Sequence, residues 1–358
     1  MTVVFAGGGT GGHLYPAIAI ADALRERAAR ITFIGTADRL EARIVPQAGY
    51  DLRTIAARAL PRRFSLELFR TLAANAAGTM QSLKLLGQER PDLVVATGGY
   101  VSFPVALAAR ILRLTRREPA IVLLEPNAAP GLTNRLLAPI VDEVWGAGTT
   151  GVPIRASLAR LPSRQAAAER LGLLPSLRSL VAMGGSQGAR RINDSLIDLV
   201  RTGALPDGWQ LLHLTGEAEY DRVRDAARAG AFARYVARPY LDDMADAYAV
   251  ADLLLTRAGA STLAELAALG KPAILVPYPH AAEGHQAINA ARIEASGAAI
   301  VVTDRELQDG ALPALVAQTL EPTRLEALTQ AAQASRGGDA VAAILARIDR
   351  LVSRNSKR

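Results

Sequence analysis

The chain has 358 residues, half of them apolar but only 4% aromatic, which allows two domains with cores of small aliphatic side chains and excludes a disordered chain. It contains no cysteine, so disulfides, thiolate nucleophiles and cysteine metal sites are all excluded. The net charge of +7 is uneven: residues 1–157 hold 18 Lys+Arg against 12 Asp+Glu, a net of +6, and the remainder carries +1, which argues against a nucleic-acid-binding surface spread over the whole molecule.

The first segment, Met1-Thr2-Val3-Val4-Phe5-Ala6, enters a strand directly, without the basic and apolar regions of a secretory signal, so a cytoplasmic chain is expected. Val3–Phe5 runs into Gly7-Gly8-Gly9-Thr10-Gly11-Gly12, a G-x-G-x-x-G loop whose amides can approach a diphosphate or a sugar. The next apolar run, Ile31–Ile34, is followed by Gly35-Thr36-Ala37, not by the acid a nicotinamide enzyme needs, and no Gly-Lys-Ser/Thr follows to make a P-loop. His13 falls where the following helix starts, and the positive helix end disfavours imidazolium, which suits a base.

Segment 64–86 sets Phe64, Leu66, Leu68, Phe69, Leu72 and Met80 among Arg62, Arg63, Arg70 and Lys84. It reads either as a core-facing helix with a basic outer face or as a monotopic membrane patch. Arg110, Arg113 and Arg117 share a helical face, and segment 58–117 as a whole carries ten basic residues against three acidic ones. The uncharged stretch Leu93–Ala109 is broken by Gly98, Gly99, Tyr100 and Pro104, so it reads as a buried strand, a turn and a helix start instead of a membrane span.

Further apolar runs follow at Ile121–Leu124, Leu180–Met183, Leu211–Leu214, Leu253–Leu255, Ile274–Val276 and Ile300–Val302, separated by segments of helical length. This alternation specifies an α/β architecture with buried parallel strands. Leu180–Met183 leads into a second glycine loop, Gly184-Gly185-Ser186-Gln187-Gly188, which echoes the first. The echo predicts two Rossmann-like halves, with the hinge near 151–155. Thr262-Leu263-Ala264-Glu265 reads either as a capping box or as part of a nucleotide site in which a helix starting near Ala260 faces phosphate and Glu265 accepts from ribose hydroxyls. Val341, Ile344, Leu345, Ile348, Leu351 and Val352 repeat at helical spacing, so the last helix needs a surface to cover.

Taken together, Gly7–His13, Gly98-Gly99-Tyr100-Val101-Ser102, Gly184–Gly188 and Arg257-Ala258-Gly259-Ala260-Ser261-Thr262 through Glu265 strongly resemble the MurG family, over essentially the whole chain. These enzymes transfer N-acetylglucosamine to the lipid-linked muramoyl-pentapeptide of peptidoglycan synthesis, converting lipid I to lipid II. The resemblance implies a GT-B fold, two Rossmann-like domains facing across a cleft. Residues 1–157 would form an acceptor-binding, membrane-associating domain, residues 158–339 the UDP-N-acetylglucosamine domain, and residues 340–358 a helix crossing back to the first.

Carried onto matching positions, the donor contacts implied are Thr10, Gly11, Gly12, Asn127, Arg155, Ser186, Leu241, Ala260, Ser261, Thr262, Leu263, Ala264, Glu265 and Gln286. Glu265 would hold the ribose, Gln286 the sugar hydroxyls and Ser186 the diphosphate. The catalytic set implied is His13 as general base, Glu125 as its rival or orienting partner, and Tyr100. Three departures from the family pattern stand out: Leu124-Glu125-Pro126-Asn127 in place of His-Glu-Gln-Asn, Val152-Pro153-Ile154-Arg155 without the usual leading asparagine, and Phe103 where glycine is common. The implied reaction is an inverting single displacement needing no metal or other cofactor. The implied partners are lipid I, an anionic membrane surface and other cell-wall synthesis proteins, at the cytoplasmic face of the plasma membrane, in service of cell shape and division. The rival readings are a GT-B transferase with another lipid acceptor such as diacylglycerol, a UDP-N-acetylglucosamine epimerase, and a non-catalytic nucleotide-sugar-binding protein.

Overall fold

The computed structural model describes residues 1–59, 61, 66–113, 119–185, 188–228 and 234–355. The chain divides into two compact units, Met1–Arg155 with Gly338–Arg358, and Ala156–Gly337.

In unit 1 the elements run β1 (Thr2–Ala6), α1 (Gly11–Arg25), β2 (Arg30–Gly35), α2 (Leu40–Gln47), β3 (Asp51–Thr54), α3 (Leu66–Glu89), β4 (Leu93–Ala96), α4 (Ser102–Leu112), β5 (Ala120–Glu125), α5 (Leu132–Leu137) and β6 (Glu143–Gly146). The strands form one parallel sheet in the order β3-β2-β1-β4-β5-β6. The order reverses between β1 and β4, so the loops leaving those two strands part there and open a crevice at their C-terminal ends.

Unit 2 repeats the pattern with α6 (Arg164–Leu171), β7 (Arg178–Met183), α7 (Arg190–Arg201), β8 (Trp209–Leu214), α8 (Tyr220–Arg228), β9 (Tyr235–Arg238), α9 (Ala245–Val250), β10 (Ala251–Thr256), α10 (Ala260–Leu269), β11 (Ala273–Leu275), α11 (His285–Ala295), β12 (Ala299–Val301), α12 (Asp304–Gln308), α13 (Leu312–Thr319) and α14 (Pro322–Ala334). Its sheet is also parallel, in the order β12-β11-β10-β7-β8-β9, so its switch point lies between β7 and β10. Both glycine loops therefore leave the strand that borders the switch point of their own sheet.

Every apolar run read as a strand is a strand, and the sheets gain three more: β3, β6 and β9. Each of these lies at a sheet edge. An edge strand has one neighbour and one open side, so sequences such as Asp51-Leu52-Arg53-Thr54 satisfy it without a continuous apolar run.

The last helix, α15 (Ala340–Asn355), belongs to unit 1, where Ile344, Leu345, Ile348 and Leu351 join Phe5, Leu14, Ile20, Leu24 and Trp145 in one buried cluster. Burial of each such aliphatic contributes roughly 1.5–3 kcal/mol. Arg347 also reaches Glu143 at 3.2 Å, and the same carboxylate accepts the Trp145 indole N–H at 2.8 Å. The opposite face of the sheet is covered by α3, α4 and α5, through Leu86, Val105, Ala109 and Leu137. Among the described residues no helix is long and apolar enough to cross a membrane. Leu93–Ala109 forms β4, a turn and most of α4.

Candidate active site

In unit 1 the expected catalytic residues gather at the C-terminal ends of β1, β4 and β5. Thr10, in extended conformation, is the N-cap of α1, and its carbonyl accepts the amides of His13 and Leu14 at 3.2 and 3.3 Å. Gly11 and Gly12 open the helix, which makes His13 its third residue. A Cβ on Gly98 would stand 2.7 Å from both Cε1 and Nδ1 of the His13 ring, and φ there is +96°. The absent side chain and the left-handed backbone thus make the berth in which the imidazole lies. Ser102 locks this turn: its hydroxyl accepts the Gly98 N–H at 2.9 Å and lies 2.8 Å from the Ala6 carbonyl at the end of β1. Tyr100 stands on the Gly9 side of the same loop, its Cε1 3.5 Å from where a Gly9 Cβ would be.

Glu125 ends β5 and is 7% exposed. Its Oε1 accepts the Asn127 amide at 2.9 Å and the Asn127 side chain at 3.0 Å, while Oε2 accepts from Asn134 at 2.7 Å and from the Gly131 amide at 3.3 Å. Four donors on two oxygens suit an ionised carboxylate that shapes the 126–131 loop, and a proton taken from substrate would have to displace one of them. Asn134 also borders the space beside Gly98, 3.4 Å from the same Cβ position. Arg155 lays its guanidinium 4.4 Å above the Tyr15 ring, whose edge packs on Gly11.

A residue that sequence reasoning passed over holds the first glycine loop from beneath. Glu41, on α2, is fully buried, and its carboxylate accepts the Gly9 amide at 2.9 Å, the Thr36 amide at 3.0 Å and the Thr36 hydroxyl at 2.7 Å. A Cβ on Gly8 would fall 2.4 Å from that carboxylate, which is why Gly8 must be glycine. Nothing local in Leu40–Gln47 signals this.

In unit 2 the expected donor residues lie after β9, β10 and β11. Leu241 follows β9, Ala260, Ser261, Thr262, Leu263, Ala264 and Glu265 form the opening turns of α10, and Gln286 is the second residue of α11. Helix α10 is capped at Gly259, which places Thr262 inside the first turn. The capping-box reading of Thr262–Glu265 is therefore incorrect, because Thr262 is already helical and Glu265 points inward at 4% exposure. The Tyr248 hydroxyl donates to Glu265 Oε2 at 2.6 Å. Gln286 Oε1 accepts the Tyr278 amide at 2.9 Å, tying α11 to the loop after β11. Arg257 pins that loop too, donating to the Val276 carbonyl at 3.2 Å while pairing with Asp304 on α12. Asp304, like Tyr248, carries no mark in the sequence. Ser186 lies outside the described residues.

Beneath the second loop a neutral polar chain crosses the sheet. The Asn193 side-chain N–H donates to the Thr215 carbonyl, so its oxygen faces His213 Nε2 at 3.0 Å and Nε2 carries the proton. Nδ1 then accepts from the Tyr235 hydroxyl at 2.9 Å. Burial pushes the His213 imidazole down to about 3.

The basic segment is only partly as expected. On α3, Phe69, Leu72 and Met80 are exposed beside Arg70 and Lys84, while Leu86 faces the core. Arg113 does not share an open face with Arg110: α4 ends at Leu112, and Arg113 pairs with Asp142 and donates to the Pro119 carbonyl at 2.9 Å. Arg62, Arg63, Phe64, Arg116 and Arg117 lie outside the described residues. Among the described residues no group of three or more His, Asp or Glu is placed to hold a metal ion.

Two parallel sheets of Rossmann order, each with a glycine loop at its switch point, define a protein of the GT-B fold class. Residues 3–145 match the N-terminal domain of glycosyltransferase family 28, and residues 179–347 match its C-terminal domain. The UDP-N-acetylglucosamine–N-acetylmuramyl-(pentapeptide) pyrophosphoryl-undecaprenol N-acetylglucosamine transferase of Halothermothrix orenii is 41% identical over 355 residues, 93% of this chain and 94% of that one. The enzyme of the same name from Frankia casuarinae is 41% identical over 367 residues, covering 97% and 95%. The crystal structure of Acinetobacter baumannii MurG superposes with a TM-score of 0.77 at 24% identity, covering 98% of this chain and 99% of that one. The chain belongs to the MurG family. A putative UDP-N-acetylglucosamine 2-epimerase from Listeria monocytogenes shares the fold alone, with a TM-score of 0.60 at 16% identity, covering 97% and 95%.

Proposed function

We propose that this chain transfers N-acetylglucosamine from UDP-N-acetylglucosamine to the muramoyl 4-hydroxyl of lipid I, forming lipid II by inverting displacement. The observation that carries the reading is the placement of both motif sets: each lies at the switch point of its own sheet, one with a histidine seated at a helix start, the other with a buried carboxylate behind a helix N-terminus.

Unit 2 holds the donor. Glu265 accepts from the ribose, the opening turn of α10 and the loop bearing Ser186 meet the diphosphate, and Leu241 and Gln286 contact base and sugar. Helix N-termini and amides aimed at phosphate stabilise the UDP leaving group as its charge develops. The family resemblance also assigns Thr10, Gly11, Gly12, Asn127 and Arg155 to donor binding. His13 accepts the proton of the attacking 4-hydroxyl, a role worth about 10²–10⁴-fold. Glu125, saturated by donors, orders the Asn127 loop, and Tyr100 lines the same crevice.

The acceptor is lipid-borne, and α3 presents what an anionic membrane face selects: exposed Phe69, Leu72 and Met80 flanked by Arg70 and Lys84. The protein is therefore peripheral, at the cytoplasmic face, where other cell-wall synthesis proteins are its neighbours.

Radiolabelled UDP-N-acetylglucosamine with a short-chain lipid I analogue tests the reading. A β1,4-linked disaccharide product is expected. Conversion of UDP-N-acetylglucosamine to its 2-epimer without acceptor points to the epimerase alternative, and transfer to diacylglycerol in preference to lipid I sinks the acceptor assignment.

A further inference from the structure

Tyr248 is wholly buried on α9, immediately before β10, and Glu265 lies on α10, immediately after it. The strand between them brings the phenol oxygen to 2.6 Å from Glu265 Oε2, a short hydrogen bond of the charge-assisted kind. The terminal torsion of a glutamate is broad and nearly two-fold, so a carboxylate at the end of its chain has no preferred plane of its own. A buried donor on one oxygen gives it one. A pair of vicinal hydroxyls is recognised by the orientation of the carboxylate plane, not only by its charge, because both donors must meet lone pairs in that plane.

We propose that Tyr248 is a positioning residue for the donor nucleotide: its hydroxyl fixes the plane of the Glu265 carboxylate and thereby sets the preference for ribose over 2-deoxyribose. This rests on the reading of Glu265 as the ribose acceptor. Phe at this position would keep the buried ring but not the hydrogen bond to Glu265.

The test measures dissociation constants of UDP and 2′-deoxy-UDP by calorimetry on the full-length protein and on Tyr248→Phe. A hydrogen bond to a charged group discriminates by on the order of tenfold or more, so wild type is expected to prefer UDP by about that ratio. In Tyr248→Phe the ratio collapses toward unity, chiefly through weaker UDP binding. Because the ratio compares two ligands on one folded variant, a general loss of stability does not move it. If Tyr248→Phe shows no thermal transition, Tyr248→Met, which also lacks the hydroxyl, takes its place with the same readout. An unchanged ratio in the variant overturns the role of Tyr248 while leaving Glu265 at the ribose. A wild type indifferent to the 2′-hydroxyl overturns the Glu265 reading itself, and the proposal with it.

Discussion

The Glu41 carboxylate accepts the Gly9 amide at 2.9 Å, reaching back 32 residues to hold the first glycine loop from inside the fold. An amide that would otherwise serve an anionic ligand is thus satisfied by the protein itself, and α2 is fastened to the loop that opens α1. Replacing Glu41 by Gln keeps volume and one acceptor oxygen but sets an NH₂ group against either the Gly9 amide or the Thr36 donors. Urea denaturation is expected to show a loss of about 1–3 kcal/mol, the cost of a buried donor left unsatisfied, with turnover falling alongside. Unchanged stability would mean that the loop does not depend on this carboxylate.

Gly98→Ala tests the seat of His13. The new Cβ would fall 2.7 Å from the ring, at a φ of +96° that alanine resists, so the imidazole must swing away. Turnover is expected to drop by about 10²-fold or more, approaching that of His13→Ala, whereas UDP affinity measured by calorimetry changes far less. Near-normal turnover in both variants would remove His13 from the role of base.

His213 makes stability depend on pH. Its folded value of about 3 lies below the 6.5 of an exposed imidazole, so the unfolded chain binds more protons between the two. Stability from this group is fully present above pH 6.5 and is lost as pH falls toward 3, about 2 kcal/mol by pH 5 at 1.36 kcal/mol per unit. Urea titrations at pH 7.5 and pH 5 measure it. His213→Asn, though less stable at pH 7.5, should lack this part of the slope, and an equal slope in the variant would assign it to other groups.

Vesicle binding separates the open face of α3 from the basic residues that only look available. Phe69→Glu with Met80→Glu alters two exposed side chains, 69% and 72% accessible, so the thermal midpoint should hold. Co-sedimentation with phosphatidylglycerol vesicles should weaken by about tenfold or more, since each apolar side chain buried in a membrane contributes roughly 1.5–3 kcal/mol. Arg113→Ala should do the reverse, lowering the thermal midpoint through loss of its pairing with Asp142 while leaving vesicle binding nearly intact.

Much of the fold was legible because the central strands of a parallel sheet are buried on both faces and must be apolar throughout. Val3–Phe5, Leu93–Ala96 and Leu180–Met183 announce themselves for that reason. The edge strands Asp51–Thr54, Glu143–Gly146 and Tyr235–Arg238 did not, since one open side relaxes the requirement. The glycine loops were legible as loops, and His13 as the residue behind the first of them. The Thr262–Glu265 spacing left two readings open because a capping box and an inward-facing glutamate on the first turns of a helix share the same four-residue pattern.

Local chemistry written into the chain therefore determined the α/β alternation, the doubled glycine loop and the amphipathic closing helix, all of which depend on neighbours within one element. Only the tertiary structure decided that both glycine loops sit where their sheets reverse order, that Glu41 occupies the Gly9 amide, that Glu125 is saturated by four donors, that Arg113 belongs to Asp142, and that Tyr248 holds Glu265. Apart from the sheet order and the donors to Glu125 from the loop that follows it, each of these is a contact between residues on different elements, and a hydrogen bond is set by distance and direction in space, which chain spacing does not encode once a strand or helix intervenes.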